Sequence, residues 1–457
     1  MKICVLGCGL RTPLLLHGLV NSGIPLTEIA LYDNDPSQAE LMAEVGKGLS
    51  GVGGICIVPV PVIENAIGDS GFVISSIRVG NMQTRATDER IALECGFAGQ
   101  ETTGPAGFAM ALRTIPVALE QARMVARIAP SAWIVNFTNP AGIVTQAIST
   151  RTRAKVVGIC DTPAELFHQI ARALREPPED VHCDYFGLNH LGWVRSVRVR
   201  GVDMTERLIE NETLLRQLYS AELFPLPLIR ELRMIPTEYL FFYYNQTLAR
   251  DNQLRAGATR GEELNVLNLR VHAELERCVE AGDVAAALTA YRRYLNRRNA
   301  SYMRLDGAGQ SAFEGEDPAW DPFEGATGYH RIAVEAIRAL MSARPHTMVL
   351  NVPNRETITG LRPDDVVEVP CVVDESGPLP LAVGNPPDLV RGLMASVKQY
   401  ERLTIAAAVQ ERWDLAVFAL TMNPIVGSWD AARQFLDRLS AADRGYYSSF
   451  ERNDILR

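Results

Sequence analysis

The chain lacks any run of about eighteen consecutive apolar residues, the length a membrane-spanning helix requires, so no membrane span is expected. Basic charge is also short: 45 Lys and Arg face 54 Asp and Glu, for a net charge of −9. Binding a nucleic-acid backbone needs a basic surface, so no nucleic-acid partner is expected either. The eight cysteines are scattered between Cys4 and Cys371 without a CxxC pair or dense spacing. That argues against a disulfide framework and points to a reducing, cytoplasmic setting. The start, MKICVLGCGL, holds one Lys and a short apolar run that breaks at glycine; it reads as a buried strand and turn, not a secretion signal. There is no internal repeat and no low-complexity tract. What is present is an ordinary globular composition, 47% hydrophobic and 22% charged over 457 residues. Cores tend to split beyond ~250–300 residues, so two domains are expected, 1–180 and 181–457.

The first 160 residues alternate β-rich runs with helical patterns. Strands are expected at Lys2–Leu6, Glu28–Tyr32, Phe72–Ile77, Trp133–Phe137 and Lys155–Ile159, and helices at Pro13–Asn21, Asp35–Leu49 and Thr114–Ala129. This alternation predicts an α/β fold, a doubly wound parallel sheet buried on both faces. Beyond about residue 180 the texture changes to a mixed α+β pattern. Two antiparallel strands are expected at Val181–Gly187 and Trp193–Arg200, then helices at Met204–Glu222, Pro236–Asp251, Glu262–Ala281 and Val284–Asn296. Residues 303–328 read as a long loop. Strands return at Thr347–Val352 and Val366–Asp374, and helices at Pro387–Gln410, Arg412–Met422 and from Ser428 close the chain.

The first strand runs into Gly7-Cys8-Gly9-Leu10-Arg11-Thr12-Pro13. Glycines at 7 and 9 permit a tight turn and close approach of a pyrophosphate, and the helix that follows offers free N–H groups and a favourable dipole. A third glycine is missing, and a lone GxG is as often an ordinary strand–helix turn. The second strand adds Asp33, 24 residues past Gly9. A carboxylate there bonds adenosine ribose hydroxyls and repels a 2′-phosphate, which favours NAD over NADP. The fold is therefore expected to be of the Rossmann type, with Leu10 and Arg78 joining Gly7, Gly9 and Asp33 at the cofactor.

Four further segments are unusually polar for strand ends: Ser75–Gly80 leading to Arg85, Gly99–Pro105, Asn136–Gly142, and Gly158–Pro163. In an open α/β sheet such ends line the ligand crevice. The motifs SIRVG, GQETTGPAGF, NFTNPAGIVTQA, GICDTP, GLNHLGW, IPTEYLFFYY and NVPNRETITGLRPDDVVEVP, in this order, resemble those of the NAD- and divalent-metal-dependent glycoside hydrolases of family 4, the group that contains the 6-phospho-β-glucosidases. This family is an exception to two-carboxylate glycoside hydrolysis.

The resemblance implies a second domain like the C-terminal domain of lactate and malate dehydrogenases, and a homodimer or homotetramer. It implies a small glycoside substrate, 6-phosphorylated. It also implies a reaction in which NAD oxidises C3 of the sugar, a base removes the C2 proton, the C1–oxygen bond breaks, water adds and the hydride returns. Cys160 and His190 match the family's metal ligands. The metal is expected to be Mn²⁺, an inference from the family, since thiolate with imidazole suits Zn²⁺ on softness alone. Tyr239 matches the base, with Tyr243 one turn later as the alternative, and Glu101 is expected to orient it. Arg85, Asn139 and Arg260 match substrate contacts, and a guanidinium suits bidentate phosphate binding.

Read without the family, His190 is a satisfied core histidine, Cys160 a core thiol, and Tyr239 to Tyr244 a helical core stripe. Three positions depart from the β-type pattern. Asp161 stands where Asn is usual, as in α-type members that use it as a proton donor. Asn81 replaces a glycine beside the phosphate position, and His330 replaces a small residue. The alternatives are the same mechanism on an unphosphorylated, α-linked or uronic-acid glycoside and, in another class, a lactate/malate-type dehydrogenase.

Overall fold

A computed structural model describes residues 1–50, 54–219, 222–308, 322–323 and 328–450. Thirteen strands form one sheet: β1 Lys2–Leu6, β2 Glu28–Tyr32, β3 Cys56–Pro59, β4 Ser70–Ser75, β5 Trp133–Asn136, β6 Lys155–Gly158, β7 Val181–Leu188, β8 Leu191–Val199, β9 Val202–Asp203, β10 Ile235–Pro236, β11 His346–Pro353, β12 Val366–Asp374 and β13 Gly377–Pro380. The first half is parallel, in the order β6-β5-β4-β1-β2-β3. Its strands are short and apolar because helices cover both faces, and Ile3, Ala30, Ile74 and Val157 are fully buried. These helices are α1 Thr12–Val20, α2 Pro36–Ser50, α3 Ile63–Ile67, α4 Met82–Glu94, α5 Gly104–Ile128, α6 Ala141–Arg151 and α7 Thr162–Leu174.

The antiparallel half continues this sheet. Asn351 of β11 pairs with Gly158 of β6, and Glu368 of β12 pairs with Gly187 of β7. One row of paired residues therefore crosses from half to half: Tyr32, Leu6, Ser75, Asn136, Gly158, Asn351, Glu368, Gly187. Gly7, Asp33, Arg78, Asn139, Cys160 and His190 each lie one to three residues past a member of this row. The register thus gathers candidates that are up to 183 positions apart in sequence.

Four expectations need correction. Residues 204–222 do not form one helix; Asn211 adopts an extended conformation and its side chain accepts from the amide of Leu214, ending Thr205–Glu210 and starting Glu212–Leu215. The 236–251 segment is also broken. Ile235–Pro236 pairs with β8, Glu238–Leu240 is a 3-10 turn, and Asn245 separates Phe241–Tyr244 from Gln246–Ala256 while its side chain bonds the Leu223 carbonyl at 2.8 Å. Helix α5 begins at Gly104, ten residues before the expected start, because Pro105 sits in its first turn, where proline's missing N–H costs nothing. Edge strand β3 was not anticipated; Pro59 at its end suits an edge. Within the expected 303–328 loop, Arg304–Ala308 is helical, and 309–321 and 324–327 lie outside the described residues.

Candidate active site

The turn after β1 is shaped by its neighbours. Gly7 has φ +89, and a Cβ there would sit 2.6 Å from the Ser76 carbonyl oxygen, so β4 crosses too closely for any side chain. Gly9 meets nothing within 4 Å, which leaves open space for a ligand. The Asp33 carboxylate accepts from the amides of Cys8 (2.7 Å) and Asp35 (3.0 Å), fixing it beside the turn. The Leu10 carbonyl accepts from the Tyr291 hydroxyl at 2.7 Å, so a helix from the other half braces the loop. The turn thus leaves room at Gly9 with a carboxylate fixed beside it, as a dinucleotide requires.

A cavity of about 490 Å³ lies nearby and takes in Arg85, Glu101, Asp161, Tyr239 and Arg260. Arg85 reaches it from α4 and pairs with Glu89 and Glu101, each at 2.7 Å. Arg78 pairs with the same Glu101 oxygen at 2.7 Å. Burial alone would raise the Glu101 carboxyl, but Arg85, Arg78 and Arg11 together hold it well below the usual range. Glu89 also accepts from the Gly261 amide at 2.6 Å, which ties α4 to the start of helix Arg260–Glu280. A Thr259/Glu262 capping box fixes that start and so aims Arg260. Arg260 bonds Ser301 and the Arg298 carbonyl. Burial above all, with Arg298 and Arg85 close by, pushes it down to about 10 against the pull of Glu263, which pairs with it at 3.5 Å.

Tyr239 lies on the 3-10 turn, its ring stacked on His190 with centroids 3.8 Å apart and planes 1° from parallel. Its hydroxyl bonds Tyr302, whose own O–H donates to Glu238 at 2.7 Å. The hydrogen bonds of Glu101 go to Arg78 and Arg85, and the Tyr239 hydroxyl bonds Tyr302 where a bond to Glu101 was expected. Burial raises the Tyr239 phenol well above its ordinary value. Burial likewise pushes Glu238 up to about 7 and Asp161 up to about 6, the latter against the pull of Arg11.

His190 sits in the β7–β8 turn with φ +60, in the left-handed region. Its Nδ1 is 2.8 Å from the Thr102 hydroxyl, which leaves Nε2 for a ligand, and burial holds the ring neutral by lowering it to about 4. Burial, then Glu368 and Asp161, raises the Cys160 thiol, so a thiolate there calls for a cation. Neutral imidazole and a thiol beside the carboxylates of Glu368 and Asp161 are a donor pair of the chemical type a cation takes. No group of three or more His, Cys, Asp or Glu suited to a metal occurs among the described residues, so substrate or water oxygens would complete the sphere. Cys160, His190 and Asn139 do not line the cavity itself; Asn139 precedes Pro140 in a cis peptide at the head of α6.

Asn81 lines a small pocket with Arg78, Arg85 and Glu101. Its oxygen caps α4, accepting from the Thr84 amide at 2.9 Å. Sequence reasoning missed Tyr302, Glu238 and Arg298 in the cavity wall. Glu238 had a signal, an acid beside the candidate base in an otherwise apolar stretch. Tyr302 and Arg298 had none, because they arrive about 60 residues later in sequence.

A Family 4 glycosyl hydrolase model matches residues 2–176, and the model of that family's C-terminal domain matches 185–426. A probable 6-phospho-β-glucosidase of Bacillus subtilis is 32% identical, over 98% of each chain. The 6-phospho-β-glucosidase of Thermotoga maritima, solved with NAD and glucose-6-phosphate, superposes with a TM-score of 0.80 at 28% identity, covering 98% of this chain and 99% of that one. It has also been solved with manganese, NAD⁺ and glucose-6-phosphate. At the level of fold alone, malate dehydrogenase from Plasmodium falciparum matches with a TM-score of 0.50 and 13% identity, covering 90% of this chain and 99% of that one.

Proposed function

The chain belongs to family 4 of the glycosyl hydrolases, and from that premise we propose that it is an NAD- and Mn²⁺-dependent 6-phospho-β-glucosidase. The observation that carries the reading is the convergence of Arg85, Glu101, Asp161, Tyr239 and Arg260 on one cavity. NAD, held at Gly7, Gly9, Leu10, Asp33 and Arg78, would supply hydride exchange at C3, and a metal on Cys160 and His190 would supply the positive charge that polarises the sugar oxygens. The protein's own groups do the rest. Tyr239, as the phenolate that a metal cation beside it would favour against its burial, would take up the C2 proton, positioned by its stack on His190 and its bond to Tyr302. Asp161, pushed up to about 6, holds a proton for the departing oxygen. Arg85 and Arg260 bind the 6-phosphate, and Glu101 keeps Arg85 and Arg78 in place. Asn139, at the head of α6 and outside the cavity wall, is the remaining substrate-contact candidate.

We assign cofactor and metal to the 1–180 part with His190, and the wall of the substrate cavity largely to 181–457. Association into a homodimer or homotetramer is part of the same proposal. No described helix is long and apolar enough to cross a membrane. The test is kcat/KM on p-nitrophenyl α- and β-glucosides, each with and without the 6-phosphate, in the presence of NAD⁺, Mn²⁺ and reductant. The 6-phospho-β-glucoside should win, with no net NADH. A winning unphosphorylated or α-linked substrate would overturn the specificity and leave the family assignment intact.

A further inference from the structure

Glu368 is 1% exposed, on β12 in the middle of the joined sheet. Three donors meet its carboxylate: the Tyr185 hydroxyl at 2.6 Å, the Asn351 side-chain amide at 2.8 Å and that of Asn189 at 3.0 Å. All three are neutral. A buried carboxylate usually holds an arginine or lysine, because neutral hydrogen bonds return only part of the hydration it loses. Glu89 and Glu101 follow that rule with Arg85, and Glu401 follows it with Lys398. Glu368 has no such cation among the described residues.

Its hydrogen bonds lead instead to the two candidate metal ligands. Asn189 immediately precedes His190 in the β7–β8 turn. Asn351 lies directly opposite Glu368 across β11 and β12, and its other neighbour in the sheet is Gly158, two residues before Cys160. Both asparagines come in close because a glycine faces each of them. A Cβ on Gly158 would sit 2.8 Å from that of Asn351, and one on Gly142 would sit 2.9 Å from that of Asn189. The Gly142 amide donates to Oδ1 of Asn189 at 3.3 Å, which turns the Asn189 N–H toward Glu368. After burial, Glu368 is the strongest influence raising the Cys160 thiol, so its charge is felt at the sulfur.

Resting on the metal assigned to Cys160 and His190, we propose that Glu368 is a positioning residue for that metal: it ties the His190 turn to the strand end that carries Cys160, and its negative charge is balanced by the bound dication. A divalent cation is the largest charge in such a site and favours the thiolate and the buried carboxylate together. Partners one step behind the ligands orient them and tune their affinity for metal.

The test is Glu368→Gln. A glutamine can keep its oxygen toward the two asparagines and donate its amide to the Tyr185 hydroxyl, so the hydrogen bonds survive and only the charge is lost. Mn²⁺ binding to the NAD⁺-loaded chain is read from the EPR signal of the free ion, and NAD⁺ binding without metal from titration. The Kd for Mn²⁺ should rise about 10–100-fold, the range for losing an outer partner of a metal ligand. NAD⁺ affinity should stay unchanged, and the metal-free Tm should hold or rise, since a buried charge without a cation is gone. Asn189→Ala cuts only the link to the His190 turn; it should also weaken Mn²⁺ binding, and it covers the case that the Gln variant fails to fold. Unaltered Mn²⁺ affinity in either variant overturns the proposal. So does a Gln variant that loses NAD⁺ affinity and metal-free Tm along with Mn²⁺, because that marks a structural role alone. If the unmodified chain binds Mn²⁺ no better than a Cys160→Ser variant, the metal assignment itself falls, and the proposal with it.

Discussion

At the Gly7–Leu10 turn the contacts are made by the backbone: amides hold Asp33, a carbonyl takes Tyr291, and the Ser76 carbonyl excludes a side chain at Gly7. In the cavity the contacts are made by long charged side chains that arrive from α4, from the loop before α5 and from helix Arg260–Glu280. The turn is complete without a ligand. In the cavity, Arg260 is depressed toward about 10, chiefly by burial, and among the described residues the His330 ring nitrogens have no hydrogen-bond partner. The contrast teaches where each kind of binding resides. A widely used cofactor is met by local backbone geometry, whereas a particular substrate is met by convergent charge that its own anion must complete.

The largest expected effect lies in the cavity. Tyr239→Phe should cost about 10²–10⁴ in kcat, in line with general-base contributions, while NAD⁺ affinity measured by titration stays unchanged. A Tyr243→Phe variant that is dead beside an active Tyr239→Phe would move the base one turn along.

Next comes phosphate binding. Arg85 pairs with Glu89 and Glu101, so its removal leaves buried carboxylates unpaired and confuses affinity with folding. Arg260 pairs with one buried carboxylate, Glu263, at 3.5 Å, so a matched pair of substrates is needed to separate affinity from folding. Arg260→Ala should raise KM about 10–100-fold for the phosphorylated glucoside, as expected for a lost charge-assisted bond, with little change for the unphosphorylated analogue. An equal rise for both would remove Arg260 from the phosphate site.

The two glycines of the turn separate fold from cofactor. Gly7→Ala should lower stability by roughly 1–3 kcal/mol through its positive φ and the close Ser76 oxygen, read as a drop in Tm. Gly9→Ala should leave Tm unchanged and weaken NAD⁺, since only a ligand would meet its methyl. The same Tm loss in both would erase the distinction between a turn built for the fold and one built for a cofactor.

The smallest effect is on pH. A buried His lowered to about 4 stays neutral while the unfolded chain protonates near 6.5, so its contribution is present above about pH 6.5 and is lost as pH falls toward 4. The fall in Tm over that window should be shallower in His330→Phe. His190 titrates in the same direction, so some slope should remain.

The sequence by itself determined the parallel half-sheet, the glycine turn with Asp33, and a family resemblance that named Cys160, His190, Tyr239, Arg85 and Arg260. These were legible because strand periodicity, turn chemistry and short ordered motifs are local properties of the chain. Only the tertiary structure decided that both halves share one sheet, because the junction is a pairing of Asn351 with Gly158 that no local pattern marks. It alone brought Tyr302 to Tyr239 and His330 to an unpartnered place in the cavity. It also decided where helices stop. Asn211 and Asn245 can sit inside a helix or end it, and pairing of Ile235–Pro236 with β8 settled one of those breaks. The physical reason is common to all of these: hydrogen bonds and burial between segments far apart in sequence outweigh a propensity worth less than about 1 kcal/mol per residue.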